Sequence, residues 1–492
     1  MPSVIKQPLL PLRTIGDRRG DEGVTASPTG LDRPSWMEFI RPSLPQLTMP
    51  SIAPFAALRY NLDHIDSLSD VIAPPYDVID PELQDALYKR HPANVIRVIL
   101  NRSEPGDRGD EKYDRAAGFV RDWIDQGVLI RENEPAIYVY HQTFEAAGQT
   151  FTRRGFQARV RIEPFGEGTI YPHEETHPKA KVDRLKLTRA TRQNNSQIFG
   201  LYPDPDNAVI DRLDAATAGC PSFEATDHLG VRHQVWVVTD RTVIDEIAAK
   251  MDDKPMFVAD GHHRYETASN FRAERSDAAG GSLDADDPAN FVMTMLVGMS
   301  DPGMIVLPTH RLLRNTPKFE STQIVAALSN EFDCKVLSRG VELAAAAWDE
   351  IERLDDQGTL AIFAVADQTW VVAKAKSSAK DAMKALSPDR SDDWQSLGVS
   401  LLHRLIIDER LGCAGHPKPT YVHEVDEVVD GLQGRGSQAE SAGDGEYTLA
   451  ALVMPARLSD VEAISLHKER MPAKSTYFYP KLLSGLTFNP LV

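Results

Sequence analysis

The stretch FVADGHHRYETASNF, residues 257–271, gathers Asp260, Gly261, His262, His263 and Arg264 in the middle of an acidic chain. Phe257 and Val258 can end a buried strand, and Gly261 permits a turn that a side chain would obstruct. HRYETASNF can then open a helix with Tyr265, Ala268 and Phe271 along one side. A strand–turn–helix unit aims backbone N–H groups at an incoming anion. Arg264 adds a forked donor that matches phosphate oxygens. Asp260 could orient a histidine, bind magnesium or its water, or activate a hydroxyl. The competing reading is a polar turn capped by Asp260. Adjacent histidines lack the i,i+4 spacing of a helical metal pair, which ranks anion binding above zinc catalysis.

A second cluster, YPHEETHPKAKVDRLKLTRAT (171–191), contains His173-Glu174-Glu175-Thr176-His177, the zincin pattern. That chemistry needs both histidines on one helical face with the glutamate beside a metal-bound water. Pro172 and Pro178 bracket the segment and oppose a helix there. The same region concentrates Lys179, Lys181, Arg184, Lys186, Arg189 and Arg192. It reads either as a solvated basic helix starting near Asp183 and Arg184, or as a second wall for a phosphorylated ligand. In the second reading Glu174 or Asp183 serves proton or magnesium chemistry. Tyr76 and Asp77 follow paired prolines in VIAPPYDVID, and His310 and Arg311 follow an apolar run in LPTHRLLR. Lys474, Ser475, Thr476 and Lys481 sit among aromatics near the C-terminus. Each is an ordinary turn on its own; together they offer several phosphate contacts.

These residues need a scaffold. A chain of 492 residues is too long for one ordinary core. The formal charge of -18 opposes a broad nucleic-acid surface but leaves room for a local basic pocket. Cys220, Cys334 and Cys413 are far apart, which argues against a disulfide framework and a cysteine zinc site. No run has the length of a membrane span, and no signal-peptide core opens the chain, so the cytoplasm is the default. Residues 1–48 read as a flexible extension, and Met49 is an alternative start.

Short apolar runs alternate with helical patterns. NVIRVIL (94–100) reads as a strand. Residues 111–129 read as a helix with Tyr113, Ala116, Ala117, Val120 and Ile124 on one stripe. AIYVYHQTF and FTRRGFQARVRI flank a glycine-bearing loop and suit a hairpin; TLAIFAV and TWVVAKA suit another. Residues 274–290 read as an exposed loop. The mixture indicates α+β, divided into a core at 49–315 and a C-terminal region at 316–492 packing on it.

VIAPPYDVI, PHEET with KVDRLKL, FVADGHHRYETA, LPTHR and MPAKSTYFYPKLLSGL together resemble the bacterial and archaeal family called domain of unknown function 1015. The resemblance runs from Met49 to the end and implies no established reaction. DGHHRYETA also resembles the nucleotide motif of the ParB and sulfiredoxin superfamily, whose glycine and arginine fall on Gly261 and Arg264. His262 stands where sulfiredoxins carry cysteine, so sulfiredoxin chemistry is not implied. The free-serine kinases of that superfamily carry a run similar to Asp260–Arg264. The resemblance implies a ParB/sulfiredoxin-like core elaborated by helices and β-hairpins, and a nucleotide or phosphorylated small molecule as partner with Mg2+. Asp260, Glu174 and His263 are then the catalytic candidates, with Asp260 the metal ligand. Gly261, His262, Arg264, Tyr265, Lys181, Arg184 and Lys474 would hold the ligand. A non-catalytic nucleotide-responsive module and a metal-dependent hydrolase are the alternatives. A homo-oligomer is left open. For the catalytic reading PHEET and DGHHR must face one cavity.

Overall fold

The protein is described from a computed structural model, which covers residues 51–146, 148–175, 178–435 and 446–492. The extension at 1–48, His177 of the zincin pattern and residues 436–445 lie outside the described residues.

The first body is built on a nine-stranded mixed sheet. Its strands are β1 (Ile52–Ala53), β2 (Ile137–Ala146), β3 (Gln149–Arg161), β4 (Ile170–Pro172), β5 (Ile198–Tyr202), β6 (Phe223–Thr226), β7 (Arg232–Val238), β8 (Met256–Asp260) and β9 (Phe291–Gly298). The order is β4-β8-β5-β9-β3-β2-β7-β6, with β1 paired to β3. β2 and β3 form the long hairpin expected from the alternating runs, with Ala146 opposite Gln149 at its tip. β8 lies parallel to β4 and antiparallel to β5. This pairing brings PHEET alongside DGHHR, although 85 residues separate His173 from Val258.

Alternation along the strands feeds two cores. One face carries Tyr138, Tyr140, Phe199, Phe257 and Met295; the other carries Val139, Phe156, Ile198, Val258 and Leu296. Val209, Leu213, Ile244 and Ile247, from two amphipathic helices, cover the second face. Phe478, Leu482, Leu486 and Phe488, from the C-terminal segment, help to cover the first.

The second body holds a six-stranded antiparallel sheet. It comprises β10 (His310–Arg314), β11 (Phe332–Arg339), β12 (Thr359–Ala364), β13 (Thr369–Ala375), β14 (Thr420–Val422) and β15 (Tyr447–Val453), in the order β11-β13-β12-β15-β10-β14. β12 and β13 are the second expected hairpin. The chain then returns to the first body. Tyr477–Tyr479 pairs with Ile305–Leu307, Asn489–Pro490 pairs with Gln193–Asn194, and Phe488 exchanges backbone hydrogen bonds with Leu58. Arg153, fully buried, donates from Nη1 to the Tyr479 carbonyl and from Nη2 to that of Pro480. Residues 477–490 therefore act as a strap fixed to the first sheet.

Some local expectations change. NVIRVIL is not a strand: Ile96–Ile99 is a short buried helix, whose Ile96 N–H donates to Asn94 Oδ1. A run this short, apolar except for Asn94 and Arg97, gives periodicity too few positions to separate a buried helix from a strand. The helix Glu111–Asp125 buries Trp123 and leaves Ile124 43% exposed. The basic helix begins at Pro178, five residues before Asp183, because proline suits a first helical turn. The loop expected from residue 274 is helical as far as Ala278.

Gly155 shows how tightly the first sheet is built. A Cβ there would lie 2.4 Å from the Leu296 carbonyl oxygen, a backbone atom that cannot swing away. Gly155→Ala is expected to cost about 1–3 kcal/mol through overpacking. The check is a thermal melt of both proteins; an unchanged midpoint would contradict this packing.

Candidate functional site

β8 ends at Asp260, and Gly261 follows with φ 92° and ψ 23°, a left-handed conformation that costs glycine little. The helix His262–Ala278 starts at once, so its first N–H groups open beside the Asp260 carboxylate. Asp260 Oδ2 accepts from Lys481 Nζ at 3.0 Å, and Oδ1 lies 3.4 Å from Arg264 Nη2. Arg264 also donates to the Gln197 carbonyl. Burial works to raise the Asp260 pKa, but the charges of Lys481 and Arg264 outweigh it and hold the carboxyl far below its ordinary range. Asp260 is thus an ionised group held between two cations.

The rest of the pocket comes from three other segments. Arg184 stacks over the Tyr76 ring at 4.1 Å, and both line a cavity of about 40 Å3 with Arg264, Asn195, Ser196 and Thr267. Lys481 Nζ sits 4.3 Å from the centre of the Tyr477 ring. The Tyr477 hydroxyl is pushed up to about 12 by burial and then by the negative charges of Asp260 and Asp77. Asp77 therefore faces the same region.

Two histidines join this site to PHEET. His173 and His262, 1% and 6% exposed, meet edge to face with ring centres 4.8 Å apart. His173 Nδ1 pairs with the Val258 carbonyl at 2.6 Å, and Nε2 with Thr476 Oγ1 at 2.9 Å. His262 Nε2 accepts from the His173 backbone N–H at 3.3 Å. With a carbonyl at Nδ1, His173 carries its proton there. Both of its ring nitrogens are engaged, so it cannot ligate a metal without breaking the joint. Among the described residues no group of three or more metal-ligating side chains converges. The hydrolase geometry therefore lacks its first ligand.

Glu174 follows immediately. It is half-buried, and Oε1 accepts from the Lys474 backbone N–H at 2.8 Å. Lys474 has φ 58°, and its own side chain is exposed. Its charge contributes to keeping Asp260 ionised. His263 is half-buried in the first helical turn, beside His262.

Three sequence candidates stand elsewhere or are already engaged. The Tyr265 hydroxyl is bound to the Glu163 backbone, accepting from its N–H and donating to its carbonyl, while its ring stacks on Phe165. Lys181 pairs with Glu266 at 2.8 Å and lines a separate cavity of about 250 Å3 with Tyr265 and Phe165. Asp183 is held by Arg184, by Lys112 and by the Tyr113 hydroxyl. Burial raises the Asp183 pKa, yet Arg184 and these bonds lower it to about 2, which makes it a poor base. Lys481 was one of several cations in an aromatic segment, and only the strap shows that it pairs with Asp260.

The fold and site define an α+β protein whose strand–turn–helix at Gly261 is closed by a C-terminal strap. The chain belongs to the family described as "Protein of unknown function (DUF1015)", which matches residues 52–400. The comparison with curated proteins gives no match. Among solved structures, a free serine kinase in complex with AMP is 9% identical, covering 64% of this chain and 92% of its own, at a TM-score of 0.27. SbnI with a C-terminal truncation, from Staphylococcus aureus, is 12% identical, covering 68% and 87%, at 0.30. A conserved hypothetical protein from Pyrococcus furiosus is 10% identical, covering 64% and 89%, at 0.27.

The buried histidines give the protein a definite pH response. Burial lowers the pKa of His173 and His262, and it takes His310 and His403 to about 3. The unfolded chain protonates its histidines from about pH 6.5, where the native state does not. The unfolded state then binds more protons, so stability is full above that pH and falls as pH drops toward the native values. Urea denaturation at pH 7.5 and 5.5 is expected to show a lower midpoint at 5.5; equal midpoints would contradict the neutral buried pairs.

Proposed function

We propose that the protein binds a nucleotide with its phosphates at the Gly261 turn and transfers a phosphoryl group to a small hydroxylated metabolite. The observation that carries this reading is the Lys481–Asp260–Arg264 arrangement at the start of a helix. Two cations and a helix N-terminus converge where one carboxylate already sits. Such an assembly suits phosphate oxygens, because the donors are preorganised and partly desolvated.

The low pKa of Asp260 separates the roles of the two carboxylates. A group this reluctant to take a proton is a weak base and a good ligand for a cation. Asp260 would therefore hold a magnesium ion that arrives with the nucleotide. Magnesium commonly uses one or two carboxylates with phosphates and water completing its shell, so one aspartate fits. Glu174, held by Lys474 on the neighbouring segment, is the candidate base for the acceptor hydroxyl. Arg264, Lys481 and His263 would stabilise the transferred charge. His173 and His262 would position the two segments, and Arg184 on Tyr76 would close the far wall.

Calorimetry with ATP, ADP, CTP and GTP, each with magnesium, tests the binding step. Lys481→Ala is expected to weaken the preferred nucleotide about tenfold to a hundredfold through loss of charge-assisted contacts. Saturable binding to none of the four by folded protein would count against the proposal. A phosphotransfer screen against small hydroxylated metabolites tests the chemistry. Glu174→Gln should lower turnover about 10²–10⁴-fold with little change in nucleotide affinity. Tight nucleotide binding with no turnover on any acceptor would favour a nucleotide-responsive binding module instead.

A further inference from the structure

A second buried cation lies next to this site. Arg311, on β10, is 0% exposed. Its Nη2 donates to the Lys474 carbonyl at 2.8 Å, and among the described residues no group accepts from Nε or Nη1. Arg153 shows how the same fold satisfies a buried guanidinium that serves structure alone. There Nε donates to Gln142, Nη1 to the Tyr479 carbonyl, and Nη2 to Gln142 and the Pro480 carbonyl. Leaving charged donors unpaired in a protein interior is costly, and such groups call for an explanation.

The surroundings of Arg311 point to a ligand. Thr309, two residues earlier and 2% exposed, also has a hydroxyl without a partner among the described residues. His403 is close enough for the Arg311 charge to help keep it neutral. It lies on Leu401–Arg410, a π-helix, and such wide turns are rare and frequent at functional sites. Arg311 lies 5.4 Å from the centre of the Tyr421 ring, and the exposed Lys418 lies 5.8 Å from the same ring. Exposed Lys474 stands on the other side, through the backbone that Arg311 holds. Two surface cations thus stand near a buried one, a pattern that concentrates anions.

We propose that Arg311 is the base of a second oxyanion site, at the junction of β10, the π-helix and the Lys474 turn. It would take a free phosphate or the carboxylate of a small acid, independently of any nucleotide at Asp260. The Arg311 Nε–H and Nη1–H groups would donate to the oxyanion, and the Thr309 hydroxyl and His403 would complete its surroundings. The Lys474 peptide spans the two sites: its N–H binds Glu174 and its carbonyl binds Arg311.

The test is calorimetry of the full chain with inorganic phosphate and, separately, with acetate, at constant ionic strength. Lys481→Ala is the background, so that the phosphate contact proposed at Asp260 is weakened, while Arg264 stays beside the carboxylate and the fold is kept. Saturable binding of either anion is expected there, and the anion that binds identifies the natural ligand as phosphate-like or carboxylate-like. Adding Arg311→Met should abolish it. That variant should still fold, because an apolar side chain of similar volume replaces a cation with few partners. A circular-dichroism melt checks this. Should it not fold, Lys418→Glu at the exposed edge should weaken binding at least about threefold by charge reversal. No saturable binding of either anion to the folded background protein would overturn the proposal. So would binding that survives unchanged in folded Arg311→Met, or in Lys418→Glu. Neither result bears on nucleotide binding at Asp260.

Discussion

The site depends on one electrostatic constraint: an aspartate at the end of β8 is held ionised by a lysine 221 residues away. Asp260 and Lys481 are both largely out of solvent, with side chains 20% and 17% exposed. In that setting the carboxylate needs cations beside it, because stripping them would leave an uncompensated charge behind. The pairing therefore ties the C-terminal strap to the strand–turn–helix. The strap is secured in turn by Arg153 and by its pairing with Ile305–Leu307. Arg264 belongs to the same arrangement from the helix side.

The histidine pair serves a different purpose. His173 and His262 are neutral and buried; both ring nitrogens of His173 are paired, and His262 Nε2 accepts from the His173 backbone. They set the spacing between β4 and the start of the helix, and so the place where Glu174 leaves the sheet. A neutral imidazole suits this position, since it can donate from one nitrogen and accept at the other without bringing a charge into the core. Chemistry in the site would then fall to Glu174, His263, Arg264 and Lys481.

Much of this was legible in the sequence, for identifiable reasons. Gly261 after an apolar run announced a turn that only glycine makes easily, and the strand and helix lie on either side of it as their periodicities require. Both hairpins were visible as paired strand-like runs, the first around a glycine-bearing loop. NVIRVIL reads as a strand because a run this short, apolar except for Asn94 and Arg97, is too brief to show a helical period. Tyr265 and Lys181 looked like ligand contacts by proximity in sequence, but a helix turns successive residues to different sides. Tyr265 therefore faces Glu163 and Phe165, and Lys181 meets Glu266 across the helix pair. The partnership of Asp260 with Lys481 could not be read from local pattern at all, because it depends on a strap that crosses from one body to the other.

The central claim is that phosphates sit at the Gly261 turn, between Arg264 and Lys481. A crystal structure of the protein soaked with ADP and magnesium tests it most directly. The account predicts the diphosphate within hydrogen-bonding distance of the backbone at His262 and His263 and of both cations, with magnesium on the Asp260 side. A well-ordered diphosphate bound away from that turn, with Lys481 still paired to Asp260, would contradict it.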